Sequence, residues 1–363
     1  MDAVPRQSGT LTRPRDEQRA ATVRVMIVDD SLVVRSVLSR AFATAPDIEI
    51  VAKTGSAELA LAQLAHASAD VILLDLEMPG MGGLEALPRI LAADRSARVL
   101  VVSSLTETGA EHTLAALAMG AADTMLKPRS GEFDEIYRDA LVAKVRALGV
   151  ASKPRVAPVR AAPPAARPRP AQITAIAIGA STGGVHALGI LLRNLPARVT
   201  APILVTQHLP ASFVHVFARQ IEMAGGRRTC VAEDGMMLED NQIYVASGDG
   251  HMIVAAKDDG LVIATDHGRA PSGCTPSVDP LFSALARHAG SQVLGVVLSG
   301  MGRDGSLGAA QLVAAGGMVL IQDKASSAVW GMPGSVAEAG LAHAVLPPDQ
   351  LAFRIATLCG RRG

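Results

Sequence analysis

One serine in the chain stands in a setting that would make it a nucleophile. Ser181 lies in the Gly-Ala-Ser-Thr-Gly segment 179–183, after the apolar run Ile173–Ile178 and before the amphipathic run Val185–Leu195. A strand, a tight glycine-flanked turn and a helix form a nucleophile elbow, which holds a serine hydroxyl clear of its own backbone. The N–H groups at the start of the helix would face the negative charge that develops on an attacked carbonyl. The pattern therefore predicts acyl-transfer chemistry at Ser181.

This motif needs support, because Gly-x-Ser-x-Gly also occurs by chance and glycine-rich loops can bind phosphate instead. The segment lacks the Gly-Lys-Ser/Thr ending of a P-loop, and its spacing is not Gly-x-Gly-x-x-Gly. Two further residues favour catalysis. His208 follows the apolar run Ile203–Thr206, and Asp304 lies in a glycine-rich loop after Val293–Leu298. A serine, a histidine and an aspartate at one edge of a parallel sheet are a nucleophile, a general base and the acid that orients the base.

Other interpretations of these residues remain open at this point. His186 and His215 are rival bases, although both lie inside helical patterns and not directly after a strand. Asp304 with its flanking glycines would also suit a plain turn. The order serine, histidine, aspartate differs from the serine, acid, histidine order of α/β-hydrolases, so the topology must differ from that fold.

A second cluster of polar residues follows the strands predicted in the first part of the chain. Asp29 and Asp30 end the first strand, Asp75 the third, Ser103 the fourth and Lys127 the fifth. Open α/β sheets place their sites at these strand ends. Carboxylates that converge there repel one another unless a cation lies among them, which a hexacoordinate Mg²⁺ ion would do. Lys127 supplies a second positive charge. An isolated Asp-Asp pair would be a helix cap or a loop, but the whole set in register indicates a phosphate site.

Short apolar runs alternate with helical patterns along most of the chain. In the first part the strand candidates are Val25–Val28, Ile48–Val51, Val71–Leu74, Val99–Val102 and Thr124–Leu126. Helical patterns lie near residues 32–43, 57–66, 84–92, 108–119 and 134–148. Such alternation predicts a parallel sheet with helices on both faces.

A second alternating series begins at Ile173 and predicts another parallel sheet. Its strand candidates are Ile173–Ile178, Ile203–Thr206, Ile243–Val245, Met252–Ala255, Leu261–Thr265, Val293–Leu298 and Met318–Ile321. The Lys-Asp-Asp-Gly segment 257–260 between two of them is typical of a β-hairpin turn. We therefore expect a doubly wound parallel α/β sheet with an antiparallel hairpin insert.

The two series are separated by a segment that cannot form a core. Residues 151–172 hold six prolines, five basic residues and no acid, which favours an extended, polyproline-like chain. The predicted division is a disordered leader at 1–22, a first domain at 23–149, a flexible linker at 150–172 and a second domain at 173–363.

The composition excludes several classes of function. The formal net charge is zero and the linker's basic residues are dispersed without aromatics, so we expect no nucleic-acid binding. Cys230, Cys274 and Cys359 are widely spaced, which argues against a disulfide framework or a zinc site and fits a reducing cytoplasm. The first twenty residues lack the apolar core of a signal peptide, and no apolar run approaches a membrane span.

Residues 23–148 resemble the receiver domain of response regulators, on the strength of the strand-end cluster described above. The resemblance implies a flavodoxin-like (βα)5 fold in which a partner histidine kinase phosphorylates Asp75. It implies that Asp29, Asp30, Asp75 and the carbonyl of Glu77 surround Mg²⁺, and that Ser103 and Lys127 contact the phosphoryl oxygens. One position departs from the family: Thr124 stands where many receivers have an aromatic switch residue.

The second domain resembles the catalytic domain of chemotaxis protein-glutamate methylesterases, the CheB family, and the receiver and linker complete that architecture. The resemblance rests on segments 178–184, 207–210, 276–279, 299–305 and 331–333. It implies that Ser181 is the nucleophile, His208 the base and Asp304 its orienting acid. It further implies that Thr182 helps to position the imidazole and that the N–H of Met301 is an oxyanion donor.

This resemblance also implies a substrate and a regulatory scheme. The enzyme would hydrolyse γ-glutamyl methyl esters and deamidate glutamines on methyl-accepting chemotaxis receptors, without a metal or cofactor in this domain. The receiver on its tether would block the bulky substrate until Asp75 is phosphorylated. Thr275 departs from the family, which more often has a basic residue there.

Three other functions are weighed beside this one. A receiver-controlled adaptor would dock on a receptor without chemistry, which the presence of all three triad residues disfavours. A DNA-binding response regulator would need a basic recognition helix, which the neutral charge and the α/β pattern disfavour. The third alternative is an esterase of small molecules. An assay that compares hydrolysis of a methylated receptor with hydrolysis of a small chromogenic ester would distinguish it from a receptor methylesterase.

Overall fold

The protein is represented by a computed structural model, which describes residues 22–104, 106–128, 133–152, 172–257 and 260–360. The predicted leader, 1–22, lies outside the described residues apart from Thr22, and so does most of the predicted linker, 150–172. Residues 258 and 259 of the predicted hairpin turn also lie outside them.

The described residues from 22 to 152 form a sheet of five parallel strands in the order β2-β1-β3-β4-β5. The strands are β1 Val23–Val28, β2 Ile48–Thr54, β3 Val71–Asp75, β4 Arg98–Ser103 and β5 Asp123–Leu126. The helices are α1 Leu32–Ala41, α2 Ala57–Leu64, α3 Gly83–Ala93, α4 Glu107–Met119 and α5 Glu135–Ser152. This is the flavodoxin-like strand order, and the predicted fold class is confirmed.

Local sequence explains where these elements begin and end. Every residue of β3, Val-Ile-Leu-Leu-Asp, is buried, as expected for a strand covered by helices on both faces. The hydroxyls of Ser31 and Ser56 cap the N termini of α1 and α2 by accepting from the backbone N–H three residues on. Gly120 ends α4 in the left-handed conformation at φ 116°.

The described residues from 172 to 360 form a parallel sheet of seven strands in the order β14-β13-β12-β6-β7-β9-β8, with a separate antiparallel pair, β10-β11. The parallel strands are β6 Ala175–Ala180, β7 Ile203–Gln207, β8 Thr229–Val231, β9 Ile243–Val245, β12 Val293–Val297, β13 Met318–Gln322 and β14 Ala344–Leu346. The hairpin strands are β10 His251–Lys257 and β11 Gly260–Asp266. The helices are α6 Gly184–Asn194, α7 Val214–Gly225, α8 Val278–His288, α9 Ser306–Ala314, α10 Met332–Glu338 and α11 Pro348–Cys359.

The order of the strands fixes where a site can form. Strand β6 lies between β12 and β7. From β6 the next strand, β7, lies on one side, whereas from β12 the next strand, β13, lies on the other side, so the strand order reverses between β6 and β12. Open α/β sheets bind ligands in the crevice at such a switch point, outside the carboxyl ends of the strands. Ser181 follows β6 directly, and the loop that carries Asp304 follows β12.

Two edge strands were not predicted. Strands β8 and β14 have three residues each, and all of their residues are only half-buried. A run of three residues is shorter than the roughly four to eight that usually mark a strand. Of the three such runs in this sheet, only β9, Ile-Tyr-Val, has a strong β-former at every position. Strands β8 and β14 complete the two edges of the sheet and lie away from the switch point.

Helix α4 packs across α6 and α7, so the two sheets share one buried apolar cluster that includes Leu117 and Leu188. Three polar contacts accompany this packing. Gln220 Nε2 donates to the carbonyl of Leu114 at 3.0 Å, His186 Nδ1 lies 2.7 Å from the carbonyl oxygen of Ala118, and Arg219 forms an exposed pair with Glu111 at 3.5 Å. Across the described part of the chain, no helix combines the length and the apolar character that crossing a membrane requires.

Phe282 provides a test of the second core. Its side chain is fully buried in α8 and fits against Gly295 of β12 and Gly308 of α9. We expect Phe282→Ala to lower the free energy of unfolding by about 3–5 kcal/mol, because it removes apolar contacts and leaves a cavity. The chain has a single tryptophan, Trp330, so tryptophan fluorescence during urea unfolding reports on this domain. Phe353, which is 58% exposed in α11, is the matched control, and Phe353→Ala should change stability by less than about 0.5 kcal/mol. Equal losses in the two variants would contradict the packing described.

Candidate active site

Two glycines permit the backbone conformation of the Ser181 turn and its close contact with the loop after β12. Gly183 has φ 77°, a left-handed conformation that strains other residues, and a Cβ there would lie 2.8 Å from the hydroxyl of Ser299. Gly300, in the loop after β12, would carry a Cβ 3.0 Å from the Cβ of Ser181. The two loops therefore approach each other only because these side chains are missing.

Backbone and side-chain hydrogen bonds hold Ser181 on this turn. Its N–H donates to the carbonyl of Ser299 at 3.0 Å. Its carbonyl accepts from the N–H of Gly184 at 2.7 Å and from Nε2 of the buried Gln207 at 2.9 Å. The side chain stays half-exposed, so the hydroxyl is accessible at the rim of the sheet.

His208 lies beside this turn because β6 and β7 are neighbours. Its N–H donates to the carbonyl of Ala180, the residue before Ser181, at 3.0 Å. Its ring Nε2 lies 2.8 Å from Oδ2 of Asp304. This contact fixes one ring nitrogen on the carboxylate and leaves Nδ1 as the nitrogen that can take a proton.

Asp304 is only 2% exposed and is surrounded by donors. The hydroxyl of Ser277 donates to Oδ1 at 2.7 Å, and the N–H of Val278, at the start of α8, donates to Oδ2 at 2.8 Å. The N–H of Gly305 donates to Oδ1 at 2.9 Å. Burial alone would raise the pKa of Asp304, but the hydrogen bonds from His208, Val278 and Ser277 lower it well below its usual range.

The same contact changes the basicity of the imidazole. Burial alone would lower the pKa of His208, but the hydrogen bond to Asp304 and the neighbouring Cys274 outweigh it and raise the pKa to about 9. The opposite shifts of His208 and Asp304 are those of an ion pair that is shielded from water. A base with this pKa binds a proton strongly but is mostly protonated at neutral pH, so the neutral fraction of His208 limits its action as a base.

Two features of the rim bear on how the predicted residues would act. Among the described residues, the Ser181 hydroxyl makes no hydrogen bond to His208; such bonds are often long in ligand-free sites and tighten around substrate. Met301 is 38% exposed on the loop against Ser181, and its N–H donates to none of the described residues. That N–H is therefore available to a developing oxyanion.

Thr182 is placed differently from the expectation that it positions the imidazole. Its hydroxyl donates to Oδ2 of Asp123, the first residue of β5, at 2.6 Å. The next residue, Gly183, donates its N–H to the carbonyl of Ala122 at 2.6 Å. The N-terminal sheet thus places a carbonyl and a carboxylate on the turn that carries Ser181. Sequence spacing gives no signal of this contact, because it joins separate domains.

A cleft of about 570 Å³ lies beside the same rim, between α5 and the loops around Met301 and Trp330. Its lining includes two cations, Arg146 from α5 and Lys324 from the second domain. Lys324 Nζ lies 5.8 Å from the centre of the Trp330 ring. Both domains therefore border the approach to the N–H of Met301.

Two residues near the triad were not singled out from the sequence. The thiol of Cys274 lies close to the ring of His208 and the carboxylate of Asp304, with the three candidate ligand atoms within 4.8 Å of one another. Asp279 accepts from the N–H of Gly308 at 2.7 Å, and burial together with Asp304 raises its pKa to about 6. The Pro-Ser-Val-Asp segment 276–279 signals this region, but its contacts with Asp304 depend on how α8 meets the loop after β12.

The strand-end carboxylates of the first domain also come together. Ligand oxygens of Asp29, Asp30 and Asp75 lie within 4.8 Å of one another. The hydroxyl of Ser103 is buried and has no hydrogen-bond partner among the described residues, and the buried Oδ2 of Asp29 has only an ion pair with Lys127. Three convergent carboxylates outnumber this one cation, and their oxygens fit a hard divalent cation such as Mg²⁺. Rival histidines His186 and His215 are not part of either cluster.

Lys127 closes this acidic cluster from the end of β5. Its Nζ lies 2.7 Å from Oδ2 of Asp75 and 3.2 Å from Oδ2 of Asp29. Burial raises the pKa of Asp75 to about 6, although the hydrogen bond from Lys127 opposes the rise. Glu77 lies at the same edge and donates its N–H to Asp75 Oδ1 at 3.1 Å. The hydroxyl of Thr124 is buried without a hydrogen-bond partner in the described part of the chain.

Comparison with known proteins gives consistent matches over both domains. The chain matches the family model described as CheB methylesterase over residues 176–355 and that of the response regulator receiver domain over residues 25–137. Protein-glutamate methylesterase/protein-glutamine glutaminase 2 of Caulobacter vibrioides is 46% identical over 92% of this chain and 98% of that protein. Protein-glutamate methylesterase/protein-glutamine glutaminase 1 of Paramagnetospirillum magneticum is 40% identical over 94% of this chain and 97% of that protein. The crystal structure of the Thermotoga maritima CheB methylesterase catalytic domain matches with a TM-score of 0.50 and 33% identity, over 52% of this chain and 99% of that chain.

The pKa of His208 predicts how the reactivity of Ser181 depends on pH. A base must be neutral to accept a proton, and a pKa of about 9 leaves His208 mostly protonated at pH 7. We expect the rate at which a fluorophosphonate labels Ser181 to rise about tenfold per pH unit from pH 7 and to level off near the pKa of His208. Asp304→Asn should shift the midpoint down towards the ordinary value of about 6.5, because the carboxylate that favours the imidazolium is gone. A wild-type rate that is already constant at pH 7 would contradict this electrostatic description.

Proposed function

This chain belongs to the CheB methylesterase family, as a receiver-regulated protein-glutamate methylesterase and protein-glutamine glutaminase, and we propose that Ser181, His208 and Asp304 carry out its chemistry. The proposed substrates are γ-glutamyl methyl esters and glutamine side chains on methyl-accepting chemotaxis receptors, so that the enzyme serves adaptation. The observation that carries the proposal is the buried ion pair of His208 and Asp304, next to the turn that presents Ser181.

The first half of the reaction forms an acyl-enzyme. The Ser181 oxygen attacks the ester carbonyl carbon, and Nδ1 of His208 accepts the hydroxyl proton. The negative charge on the substrate oxygen is stabilised by the N–H of Met301 and the N-terminal end of α6. Collapse of the tetrahedral intermediate breaks the bond to the methoxy group, which takes the proton from His208 and leaves as methanol.

The second half returns the enzyme to its starting state. Water gives a proton to His208 while its oxygen attacks the acyl carbon, and the Ser181 oxygen recovers that proton as it leaves. Asp304 stays ionised throughout and stabilises the imidazolium of each half. A glutamine substrate follows the same course with ammonia as the leaving group. The chemistry requires no group beyond the residues of this domain.

We propose that the receiver domain is phosphorylated on Asp75 by a partner histidine kinase. Asp29, Asp30 and Asp75 would hold Mg²⁺, which when bound offsets the negative charge of the phosphoryl group. Lys127 lies 2.7 Å from the Asp75 carboxylate, which supports a role in holding a phosphoryl oxygen. We propose the same role for the hydroxyl of Ser103, which is buried without a hydrogen-bond partner in the described part of the chain. We also propose a cytoplasmic location, since a reducing environment suits the three cysteines, which are free thiols in the described residues.

The contacts across the two domains support regulation by a closed arrangement. Asp123 and Ala122 cover the Ser181 turn, and a receptor helix about 10–12 Å across needs that space to deliver its side chain. Strand β5 has Asp123 at one end and precedes Lys127 at the other. Because a strand of this length is rigid, a shift of Lys127 towards a phosphoryl group would move Asp123 on the elbow. Phosphorylation would then favour the open, active arrangement.

Replacement of the nucleophile tests the chemistry. We expect Ser181→Ala to reduce methanol release from methylated receptor membranes by roughly 10⁴–10⁶-fold, the range for removal of a catalytic serine, and to abolish fluorophosphonate labelling. Ser283→Ala, a half-buried serine within α8, is the matched control and should keep both activities. A chain that releases methanol normally without Ser181 would refute the assignment. A wild-type chain that binds receptor but never reacts with the probe would favour the non-catalytic adaptor.

Loss of the elbow contact tests the regulation. We expect Asp123→Ala to raise the basal rate without phosphodonor by about 10–150-fold, because a charge-assisted hydrogen bond contributes about 1.5–3 kcal/mol to the closed state. Removal of residues 1–170 should raise the basal rate at least as much. Glu111→Ala is the control, since its pair with Arg219 is more than 60% exposed on both sides and contributes little. Basal rates that stay at the wild-type value in both the Asp123 variant and the truncated chain would count against autoinhibition.

A further inference from the structure

Cys274 is a candidate metal ligand beside the triad histidine. Its thiol belongs to the loop between β11 and α8, is half-buried, and has no disulfide partner among the described residues. The sulfur, a ring nitrogen of His208 and a carboxylate oxygen of Asp304 lie within 4.8 Å of one another. The esterase chemistry proposed above uses the imidazole and the carboxylate but gives no role to the sulfur.

The surroundings of His208 prepare its ring for a metal. A histidine that binds zinc almost always donates its other ring N–H to a carboxylate, which fixes the tautomer and raises the basicity of the free nitrogen. The 2.8 Å contact between Nε2 and Asp304 is such an arrangement. A zinc ion sits about 2.0–2.3 Å from nitrogen and sulfur ligands, so two of its ligands lie at most about 4.4 Å apart. The sulfur of Cys274 and a ring nitrogen of His208 lie within 4.8 Å of each other, which is close to this limit.

We propose that the thiolate of Cys274 and Nδ1 of His208 form a binding site for a soft divalent cation, Zn²⁺ or Cd²⁺, and that its occupation reversibly inhibits the enzyme. Asp304 is the carboxylate behind the histidine and not a direct ligand, because its oxygens already accept from Ser277, Val278 and Gly305. Water completes the coordination. Binding releases the thiol proton and the proton of Nδ1 where the imidazole is protonated, since metal ligands are a thiolate and a neutral imidazole.

Inhibition follows because the metal and the Ser181 proton compete for the same lone pair of His208. The Nδ1 lone pair that accepts the Ser181 proton is the pair that binds the metal, so His208 is not a base while the site is filled. Thiolate and imidazole ligands select Zn²⁺ and Cd²⁺ over Mg²⁺. The site therefore stays distinct from the carboxylate cluster of the receiver domain, which takes oxygen-seeking ions. The inhibitory part of the inference rests on the proposed function, whereas the binding part does not.

The test titrates the full-length protein with Cd²⁺ and follows the ultraviolet charge-transfer absorption of the cadmium-thiolate bond. Methanol release in the presence of Zn²⁺, relative to each variant's own uninhibited rate, is measured in parallel. We expect wild type to bind with a charge-transfer signal and to regain activity after chelation. Cys274→Ser should lose this signal and need at least about tenfold more Zn²⁺ for inhibition, a loss in the range seen when metal sites are weakened. His208→Gln should keep the thiol but bind Cd²⁺ at least about tenfold more weakly.

Cys230→Ser is the matched control. Cys230 is another half-buried free thiol of the same domain, on β8, and accepts a hydrogen bond from Gln242 at 3.1 Å. This variant should bind and be inhibited like wild type. The inference is overturned if Cys274→Ser keeps the wild-type signal and sensitivity, or if His208→Gln binds Cd²⁺ as tightly as wild type. If no variant releases methanol, the proposed function fails, and the absorption titration still decides whether the site exists.

Discussion

The candidate active site depends on one buried carboxylate. Asp304 is almost fully shielded from water, and an isolated charge there would cost several kcal/mol. The start of α8 and the Ser277 hydroxyl supply the hydrogen bonds that make the ionised form the stable one. Because these hydrogen bonds offset the desolvation of the carboxylate, Asp304 stays ionised and can orient the imidazole of His208 and raise its pKa. The position of α8, the tautomer of His208 and the basicity of the site are therefore consequences of one interaction.

The sheet topology explains why these groups meet although they are far apart in the sequence. Ser181, His208 and Asp304 follow β6, β7 and β12, which are adjacent in the sheet. The loop that carries Asp304 reaches back across β6 because Gly300 and Gly183 let the two turns approach closely. A helix start then faces the same point from α8 and from α6. The backbone dipoles at the start of α8 thus stabilise the carboxylate of Asp304, and those at the start of α6 face the proposed nucleophile, Ser181.

Much of this arrangement could be predicted from the sequence, and the remainder has physical reasons for being missed. Strand ends are visible as apolar runs followed by polar residues, so the placement of Ser181 after β6 and of the aspartates in the first domain follows from local pattern. The three-residue runs of β8 and β14, Thr-Cys-Val and Ala-Val-Leu, lack the strong β-formers at every position that mark the equally short β9. Contacts such as those of Asp123 with Thr182 depend on how two domains pack, which no spacing within either segment encodes. The thiol of Cys274 comes near His208 only through the path of an irregular loop.

The proposed closed arrangement uses the same electrostatic field, that of the N-terminal end of α6, which the proposed reaction needs. The N-terminal end of α6 carries partial positive charge, and its free N–H groups suit an oxyanion during attack on a carbonyl. In the structure, the carbonyl of Ala122 and the carboxylate of Asp123 approach this end and accept from Gly183 and Thr182. The receiver domain therefore places partly or fully negative oxygens near the Ser181 turn, and the oxyanion of the transition state is also a negative oxygen. On the side of the elbow, the proposed inhibitory contact is hard to lose by mutation without also weakening catalysis, because a change that makes the helix start less attractive to Asp123 makes it less attractive to the oxyanion as well. A change on the side of the receiver domain, at Asp123 itself, leaves the elbow intact.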